Sequence, residues 1–175
     1  MPVVLEAPSG RRRTEFLAAV RRSRWLHGSW VRPPATPRAF AEFLRCARSK
    51  THAGFFVCLT SGELVGVINL NEIVMGSFRS AYLGYYAFVP YERQGHTKQG
   101  LGLVLRKAFK ELRLHRVEAN VQPGNQASRA LVRGLGFRLE GFSPHYLRIA
   151  GRWRDHERWA MTIEDWKRKS SDTRR

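Results

Sequence analysis

Residues 81–112, AYLGYYAFVPYERQGHTKQGLGLVLRKAFKEL, place a strand, a glycine-containing turn and a helix in direct succession. The aromatic run at 81–89 predicts a strand that ends at Pro90, and the polar stretch at 91–100 predicts a turn. The next apolar residues lie at helical spacing and predict a helix: Leu101, Val104, Leu105, Ala108 and Leu112. A strand joined to a helix in this way indicates an α/β or α+β domain.

The segments on either side of this unit supply further strands and helices. Before it, the pattern predicts a strand at 3–5, helices at 11–24 and 36–49 separated by a loop at 25–34, and hairpin strands at 54–60 and 64–71. After it, the pattern predicts a strand at 116–121, a helix at 125–135 that ends at Gly136, and two or three strands within 137–163. We therefore predict one domain over residues 1–166, with a mixed central sheet flanked by helices, and a basic, frayed tail at 167–175.

The composition narrows the class of protein. A chain of 175 residues with 43% hydrophobic residues can build one sizeable core. No apolar run reaches the roughly 18 to 20 residues that span a bilayer, and the N-terminal sequence does not resemble a secretion signal. Cys46 and Cys58 have no CxxC or metal-site spacing. We therefore expect a cytoplasmic protein with free thiols and no membrane contact.

The net charge is strongly positive, because 31 Lys and Arg residues oppose 14 Asp and Glu residues to give +17. Such a field attracts anions, which include nucleic acids and phosphorylated cofactors. It repels cations, which argues against a polyamine substrate.

The turn at 94–100 (QGHTKQG) leads into the predicted helix and has two interpretations. The N–H groups at a helix N-terminus can hold a phosphate, and Arg93 and Lys98 add positive charge. Alternatively, Gly95 and Gly100 only allow the chain to turn. The segment is neither a Walker A motif nor a GxGxxG motif.

A second polar motif, residues 123–128 (PGNQAS), opens the helix at 125–135. Asn125 is a good N-cap residue and Ser128 lies three positions later, so the structural interpretation is helix capping. The functional interpretation has Asn125 bind a ligand and Ser128 present its hydroxyl to a reacting centre. The residues alone favour capping.

Asp155 and His156 are adjacent on a predicted strand near the C-terminus. Consecutive strand residues point to opposite faces of a sheet, so these two side chains cannot act on one atom. The six His and two Cys residues show no metal-site spacing, and we predict no metal.

Four segments together resemble the acetyl-CoA-binding half of the GNAT family of N-acetyltransferases. They are residues 94–97, 114–120, 125–128 and 135–142. The ending at 146–156 (YLRIAGRWRDH) resembles the branch that acetylates the N-terminal alanine of ribosomal proteins. The resemblance covers residues 54–166. It implies a splayed mixed sheet flanked by helices and acetyl-CoA as cosubstrate.

The resemblance also implies roles for individual residues. The backbone of Phe88 and Val89 would pair with the pantetheine arm, and an N–H group near them would stabilise the oxyanion. Asn125 would lie beside the cofactor, and Ser128 would be the general acid that protonates the departing CoA thiolate. The pyrophosphate would be held by the amides of Gln94, Gly95, His96, Thr97 and Lys98, with charge added by Arg93.

The sequence departs from the family pattern at the pyrophosphate loop. That pattern is Gln/Arg-x-x-Gly-x-Gly/Ala. With Gly95 as its fourth residue, Glu92 stands first and Thr97 sixth, so both ends differ. A second register through Gly100 and Gly102 starts at Thr97 and matches no better.

Acetyl transfer to an amine requires a neutral amine, a stabilised oxyanion and a proton for the thiolate. Near pH 7.5 roughly a third of α-amines are neutral, against about a thousandth of lysine amines. An N-terminal acceptor therefore makes a mild demand on the base. The candidate bases are His145, which stands where relatives often carry a carboxylate, and Glu118, which would act through water. The structural alternative for His145 is a surface histidine, and that for Glu118 is an ion pair with a neighbouring arginine.

We therefore predict an acetyl-CoA-dependent enzyme that acetylates a protein N-terminus. A ribosomal protein is the favoured partner, since a basic surface suits contact with RNA. A small-molecule acceptor, such as an amino acid or an antibiotic amine, is the alternative within the same class. Two non-enzymatic alternatives are a nucleic-acid-binding protein, favoured by the basic clusters at 11–13, 21–24 and 167–169, and a CoA-binding sensor.

Overall fold

Seven strands and six α-helices are described in the computed structural model, which covers residues 1–172. The strands are β1 (Val3–Glu6), β2 (Ala53–Leu59), β3 (Leu64–Val74), β4 (Ser80–Ala87), β5 (Arg116–Val121), β6 (Arg138–Ile149) and β7 (Arg152–Thr162). The helices are α1 (Arg13–Arg22), α2 (Arg24–His27), α3 (Pro37–Cys46), α4 (His96–Arg106), α5 (Gln126–Leu135) and α6 (Ile163–Asp172). A π-helical turn at Lys107–Glu111 extends α4.

The strands form one mixed sheet in the order β1-β2-β3-β4-β5-β7-β6. Neighbouring strands are antiparallel except β4 and β5, which are parallel. The predicted mixed sheet flanked by helices is confirmed. The connection from β4 to β5 runs through α4, as a parallel pair requires.

A hydrophobic core lies on each face of the sheet. One face packs against α4 and α5 through Leu101, Val104, Leu105 and Val132. The other face packs against α1 and α3 through Phe16, Ala19, Val20 and Phe40. The helices that cover the sheet are short, and within the described residues no helix combines the length and the apolar character needed to cross a membrane.

Local signals explain two helix boundaries that the sequence predicts. The Thr36 hydroxyl accepts the Ala39 N–H at 3.2 Å, with Pro37 in the first helical turn, so the predicted start of α3 is confirmed. Gly136 has a φ of 96°, which places it in the left-handed region and ends α5 as predicted.

Several predicted boundaries are wrong, and α3, for example, ends at Cys46 instead of residue 49. Strand β4 ends at Ala87 instead of residue 89, because the Val89 N–H bonds a side chain instead of a strand. Helix α4 begins at His96, five residues before the predicted start, since Gly95 with φ 81° lets the helix follow the turn directly. Residues 25–27, which the sequence analysis placed in a loop at 25–34, are the last three residues of α2.

The prediction of a frayed tail is wrong for residues 167–172, which belong to α6. Thr162 and Asp165 cap this helix, with the Thr162 N–H donating to Asp165 Oδ2 at 3.1 Å. The Trp166 ring packs on Phe109 with centroids 5.7 Å apart, and Lys169 Nζ donates to the Gly134 carbonyl at 2.7 Å. Residues 173–175 of the predicted tail lie outside the described residues.

Candidate active site

Strands β4 and β5 separate part of the way along their length. Their parallel pairing covers Ser80 to Tyr82 and ends where Tyr82 faces Glu118. Strand β4 continues to Ala87, whereas β5 continues in pairing with β7. Residues 83–87 therefore leave one edge of β4 facing a cleft.

The register with β3 tells which peptide groups face this cleft. The Phe88 N–H donates to the Val65 carbonyl at 2.9 Å, and Ala87 lies opposite Gly66. Since hydrogen-bonded and non-hydrogen-bonded pairs alternate in an antiparallel ladder, the peptide groups of Ala87 and Tyr85 point away from β3. The open donors at this edge are the N–H groups of Ala87 and Tyr85.

The amides of Phe88 and Val89, which the sequence analysis assigned to the oxyanion and the pantetheine arm, are engaged within the protein. The Phe88 N–H bonds Val65, and the Val89 N–H donates to the Ser23 hydroxyl at 3.0 Å. The Phe88 carbonyl accepts the Tyr91 N–H at 2.8 Å. The structure therefore moves the available backbone donors from Phe88 and Val89 to the preceding residues.

The start of α4 is a second feature of the cleft. Its N-cap residue is Gly95, which provides no side-chain cap, and the first helical bond joins the Gln99 N–H to the Gly95 carbonyl at 3.0 Å. The first-turn amides of His96, Thr97 and Lys98 therefore have no partner within the helix. A helix N-terminus of this kind stabilises an anion such as a pyrophosphate.

Side chains around this helix start carry both signs of charge. Lys98 lies near Lys169, whose pKa is lowered by burial and then by the positive charge of Lys98. Gln94 and His96 hold the turn itself: Gln94 Nε2 donates to the Pro90 carbonyl at 2.6 Å, and its Oε1 lies 3.3 Å from His96 Nε2. Glu92 Oε2 is buried without a hydrogen-bond partner among the described residues. The departure noted at Glu92 thus places a buried carboxylate three residues before Gly95, the N-cap of α4.

Ser128 lies across the cleft in the first turn of α5. The Asn125 side-chain oxygen accepts the Ser128 N–H at 3.1 Å, so the predicted capping role of Asn125 is confirmed. The Ser128 hydroxyl takes no part in that cap and lies 2.5 Å from the Tyr85 phenol oxygen. Burial raises the pKa of Tyr85 to about 12, so the phenol keeps its proton at neutral pH.

Glu118, one of the two candidate bases, lies in an ion-pair network. The Arg116 guanidinium contacts Glu118 Oε1 at 2.8 Å and Glu140 Oε2 at 2.5 Å. The Glu118 carboxylate is thereby paired, which agrees with the structural alternative for this residue.

His145, the other candidate base, lies at an exposed irregularity of β6 with φ 48°. Its backbone N–H donates to Asp155 Oδ1 at 2.8 Å.

The side chain of His156 points away from that of Asp155. His156 is buried, its ring lies 6.2 Å from that of Tyr146, and its Nδ1–H donates to the Arg154 carbonyl at 2.9 Å. The expectation that Asp155 and His156 diverge is confirmed. No cluster of three or more potential metal ligands occurs within residues 1–172.

The sequence analysis missed Tyr85 and His27, which contact the cleft, and Ser23, which holds the chain just beyond the end of β4. Strand alternation places Tyr85 on the same face as α5, which is a signal that the sequence contains. Ser23 and His27 bond Val89 and Ala87 from 66 and 60 residues away in sequence. No local pattern predicts such contacts.

The comparisons with known proteins agree on the fold. Residues 6–138 match the family model described as an acetyltransferase (GNAT) domain. Over 104 residues, 59% of this chain, the sequence is 38% identical to the ribosomal protein uS5-alanine N-acetyltransferase of Escherichia coli. That alignment spans 54% of the relative, so the chain matches about half the length of this curated protein.

Two solved structures extend the likeness to nearly the whole chain. RimJ of Mycobacterium smegmatis, in complex with CoA-disulfide, superposes with a TM-score of 0.86 at 28% identity and covers 98% of this chain and 90% of its own. The spermidine N-acetyltransferase of Vibrio cholerae, in complex with CoA and spermine, superposes with a TM-score of 0.81 at 20% identity. It covers 94% of this chain and 98% of its own, and at that identity shows the shared fold alone.

Proposed function

The chain belongs to the acetyltransferase (GNAT) family, and on this premise we propose that it transfers an acetyl group from acetyl-CoA to the N-terminal α-amine of a ribosomal protein. The observation that carries the proposal is the open edge of β4 at residues 83–87, which lies between the uncapped start of α4 and the Ser128 hydroxyl. The start of α4 could hold the pyrophosphate, the open edge of β4 the pantetheine arm, and the Ser128 hydroxyl the departing sulfur.

The residues present fit acetyl-CoA. The amides of His96, Thr97 and Lys98 would bind the pyrophosphate, with Arg93 and Lys98 adding charge. The open peptide groups of Tyr85 would pair with the pantetheine arm, the role that the sequence analysis gave to Phe88 and Val89, and the Ala87 N–H beyond them stays available. When bound, acetyl-CoA supplies a thioester, whose carbonyl carbon is the electrophile.

The protein's own groups would supply the rest of the chemistry. The amine nitrogen forms a bond to the carbonyl carbon, the carbon–sulfur bond breaks, the nitrogen loses a proton and the sulfur gains one. The Ala87 N–H is the donor that we assign to the developing oxyanion. Ser128 donates its hydroxyl proton toward the sulfur while the Tyr85 phenol donates to Ser128 Oγ. Because a thiol has a pKa of about 8.5, the thiolate departs readily, and partial donation from the Ser128 hydroxyl is enough to assist it.

We assign the base role to His145, because Glu118 is paired with Arg116 whereas His145 is exposed. The demand on this base is small, since an α-amine has a pKa of about 8. The preference for an α-amine over lysine follows from their pKa values, which are about 8 and about 10.4.

We assign the acceptor side of the site to the loop at 25–34, of which residues 28–34 follow α2. Gln122 Nε2 donates to the carbonyls of Ser29 and Trp30 at 3.2 and 3.4 Å, which ties this segment to the end of β5. The Trp30 ring covers Gly124, at 3.2 Å from the position of a Cβ there. A ribosomal protein as acceptor is supported by the name of the E. coli relative and by the net charge of +17, which suits a partner bound to RNA.

Calorimetric titration of the protein with acetyl-CoA, at low and at moderate salt, tests the cofactor site. We expect one-to-one binding in the micromolar range that survives the added salt, and the same affinity for Ser128→Ala. Absence of binding, or binding lost on adding salt as for a nonspecific polyanion, would contradict the proposal and favour the nucleic-acid alternative.

A further inference from the structure

His27 lies far from the proposed machinery in sequence but contacts the end of β4. It closes the four-residue helix α2 and is 5% exposed. Its Nε2 lies 2.9 Å from the Ala87 carbonyl oxygen. Since a carbonyl oxygen only accepts, Nε2 carries the proton and donates it.

This contact replaces a strand partner. The Ala87 carbonyl points away from β3, toward the side where β5 has already diverged. A carbonyl on an unpaired edge would otherwise bond to water or to a ligand. His27 thus ends the open edge at Ala87 and leaves the Ala87 N–H as its last free donor.

The peptide unit that joins Ala87 to Phe88 is held at both ends. His27 bonds its carbonyl, and the Val65 carbonyl accepts its N–H at 2.9 Å. The preceding unit carries the Ala87 N–H, and because each peptide is planar, only the φ and ψ rotations of Ala87 separate it from this fixed neighbour. The ring of His27 is itself packed edge-on against Tyr86 and Phe88, with centroids 5.5 and 6.1 Å away.

We infer that His27 is a positioning residue, whose hydrogen bond to the Ala87 carbonyl aims the Ala87 N–H at the thioester oxygen. The inference rests on the proposed function for the identity of the target atom. Preorganised donors are effective because they need no rearrangement as charge develops. Loss of the contact should therefore reduce the rate of acetyl transfer more than it weakens binding of either substrate.

Three variants separate positioning from simple support of the fold. His27→Gln keeps an N–H donor at a similar reach, and His27→Leu removes it. Ser23→Ala is the matched control, because Ser23 is also buried and bonds the Val89 N–H, two residues beyond Ala87 and outside the cleft. We expect kcat to fall about tenfold in His27→Leu with KM for both substrates within about twofold, and to recover in His27→Gln. Ser23→Ala should lower the Tm but keep kcat.

The inference is overturned if His27→Leu keeps the kcat of the wild type, if His27→Gln shows no recovery, or if Ser23→Ala loses as much kcat as His27→Leu. Amide hydrogen exchange in the free protein gives a readout that needs no turnover. The Phe88 amide should exchange faster in His27→Leu and return to the wild-type rate in His27→Gln. Unchanged exchange at Phe88 would refute the contact's role even in an active enzyme. A wild-type protein without acetyl transfer would instead refute the proposed function.

Discussion

The phenol oxygen of Tyr85 lies 2.5 Å from the hydroxyl oxygen of Ser128, and this contact joins β4 to α5 across the cleft. The Ser128 backbone N–H is bound by Asn125, so the cap leaves the hydroxyl itself available. The structural and the functional interpretations of this motif are therefore compatible. Asn125 caps the helix, and the cap fixes the place of Ser128.

Replacing Ser128 with Ala should slow the enzyme without weakening cofactor binding. The hydroxyl is the only group that we assign to the departing sulfur, and general acids contribute about 100-fold or more to such steps. We expect kcat to fall by at least about tenfold while the calorimetric affinity for acetyl-CoA stays within about twofold. A variant with the turnover of the wild type would leave Ser128 as a residue of the helix start only.

Replacing Tyr85 with Phe should have a smaller effect that depends on Ser128. The phenol acts through Ser128, so its loss leaves the serine in place but without an oriented donor. We expect Tyr85→Phe to lower kcat about threefold to tenfold, and the double variant to be no slower than Ser128→Ala. Additive losses in the double variant would show that the two hydroxyls act separately.

Replacing His145 with Gln should change the pH–rate profile. Protonation of an imidazole base lowers kcat/KM on the acidic side of the pH–rate profile. In His145→Gln that fall is lost, and only the fall caused by protonation of the acceptor amine, with a pKa of about 8, remains. Glu118→Gln is the matched control, since its carboxylate is paired with Arg116. If Glu118→Gln moves the limb and His145→Gln does not, the two assignments must be exchanged.

Acid should destabilise the protein well above the range in which carboxylates titrate. Burial lowers the pKa of His27, His96 and His156 below the ordinary value of 6.5. The unfolded chain therefore binds protons first as the pH falls, and the free energy of unfolding decreases from about pH 6.5 downward. Each histidine contributes at most about 1.4 kcal/mol per pH unit.

Urea unfolding at pH 7.5 and at pH 5.5 measures this dependence, because carboxylates remain ionised over that range. His156→Gln should show a smaller loss between the two values than the wild type. Equal stability at both pH values in the wild type would contradict the assignment of these histidines as buried and neutral.

Local signals predict those parts of the site that lie at helix starts. The glycine turn before α4 and the Asn125 cap of α5 are both readable from residue type and spacing. The start of α6 carries a local signal too, since Thr162 and Asp165 have the spacing of a helix cap. The charged composition of residues 167–175 nevertheless led to the prediction of a frayed tail in place of a helix.

Contacts between distant segments account for the parts that the sequence did not predict. The position of the open donors depends on where β5 stops pairing with β4, and strand pairing between segments more than 30 residues apart has no local signature. The contacts of Ser23 and His27 with the end of β4 are of the same kind. The assignment of Phe88 and Val89 therefore missed the open edge by only a few residues.

The most direct test of the central claim is acetyl transfer to a defined peptide, followed by fragmentation mass spectrometry. The peptide carries a free N-terminal alanine and an internal lysine, and spermidine is tested in parallel as the small-molecule acceptor. We predict one acetyl group on the alanine α-amine, dependent on acetyl-CoA and much slower with Ser128→Ala. Acetylation of spermidine or of lysine in preference to the α-amine, or no transfer by a protein that binds acetyl-CoA, would contradict the account.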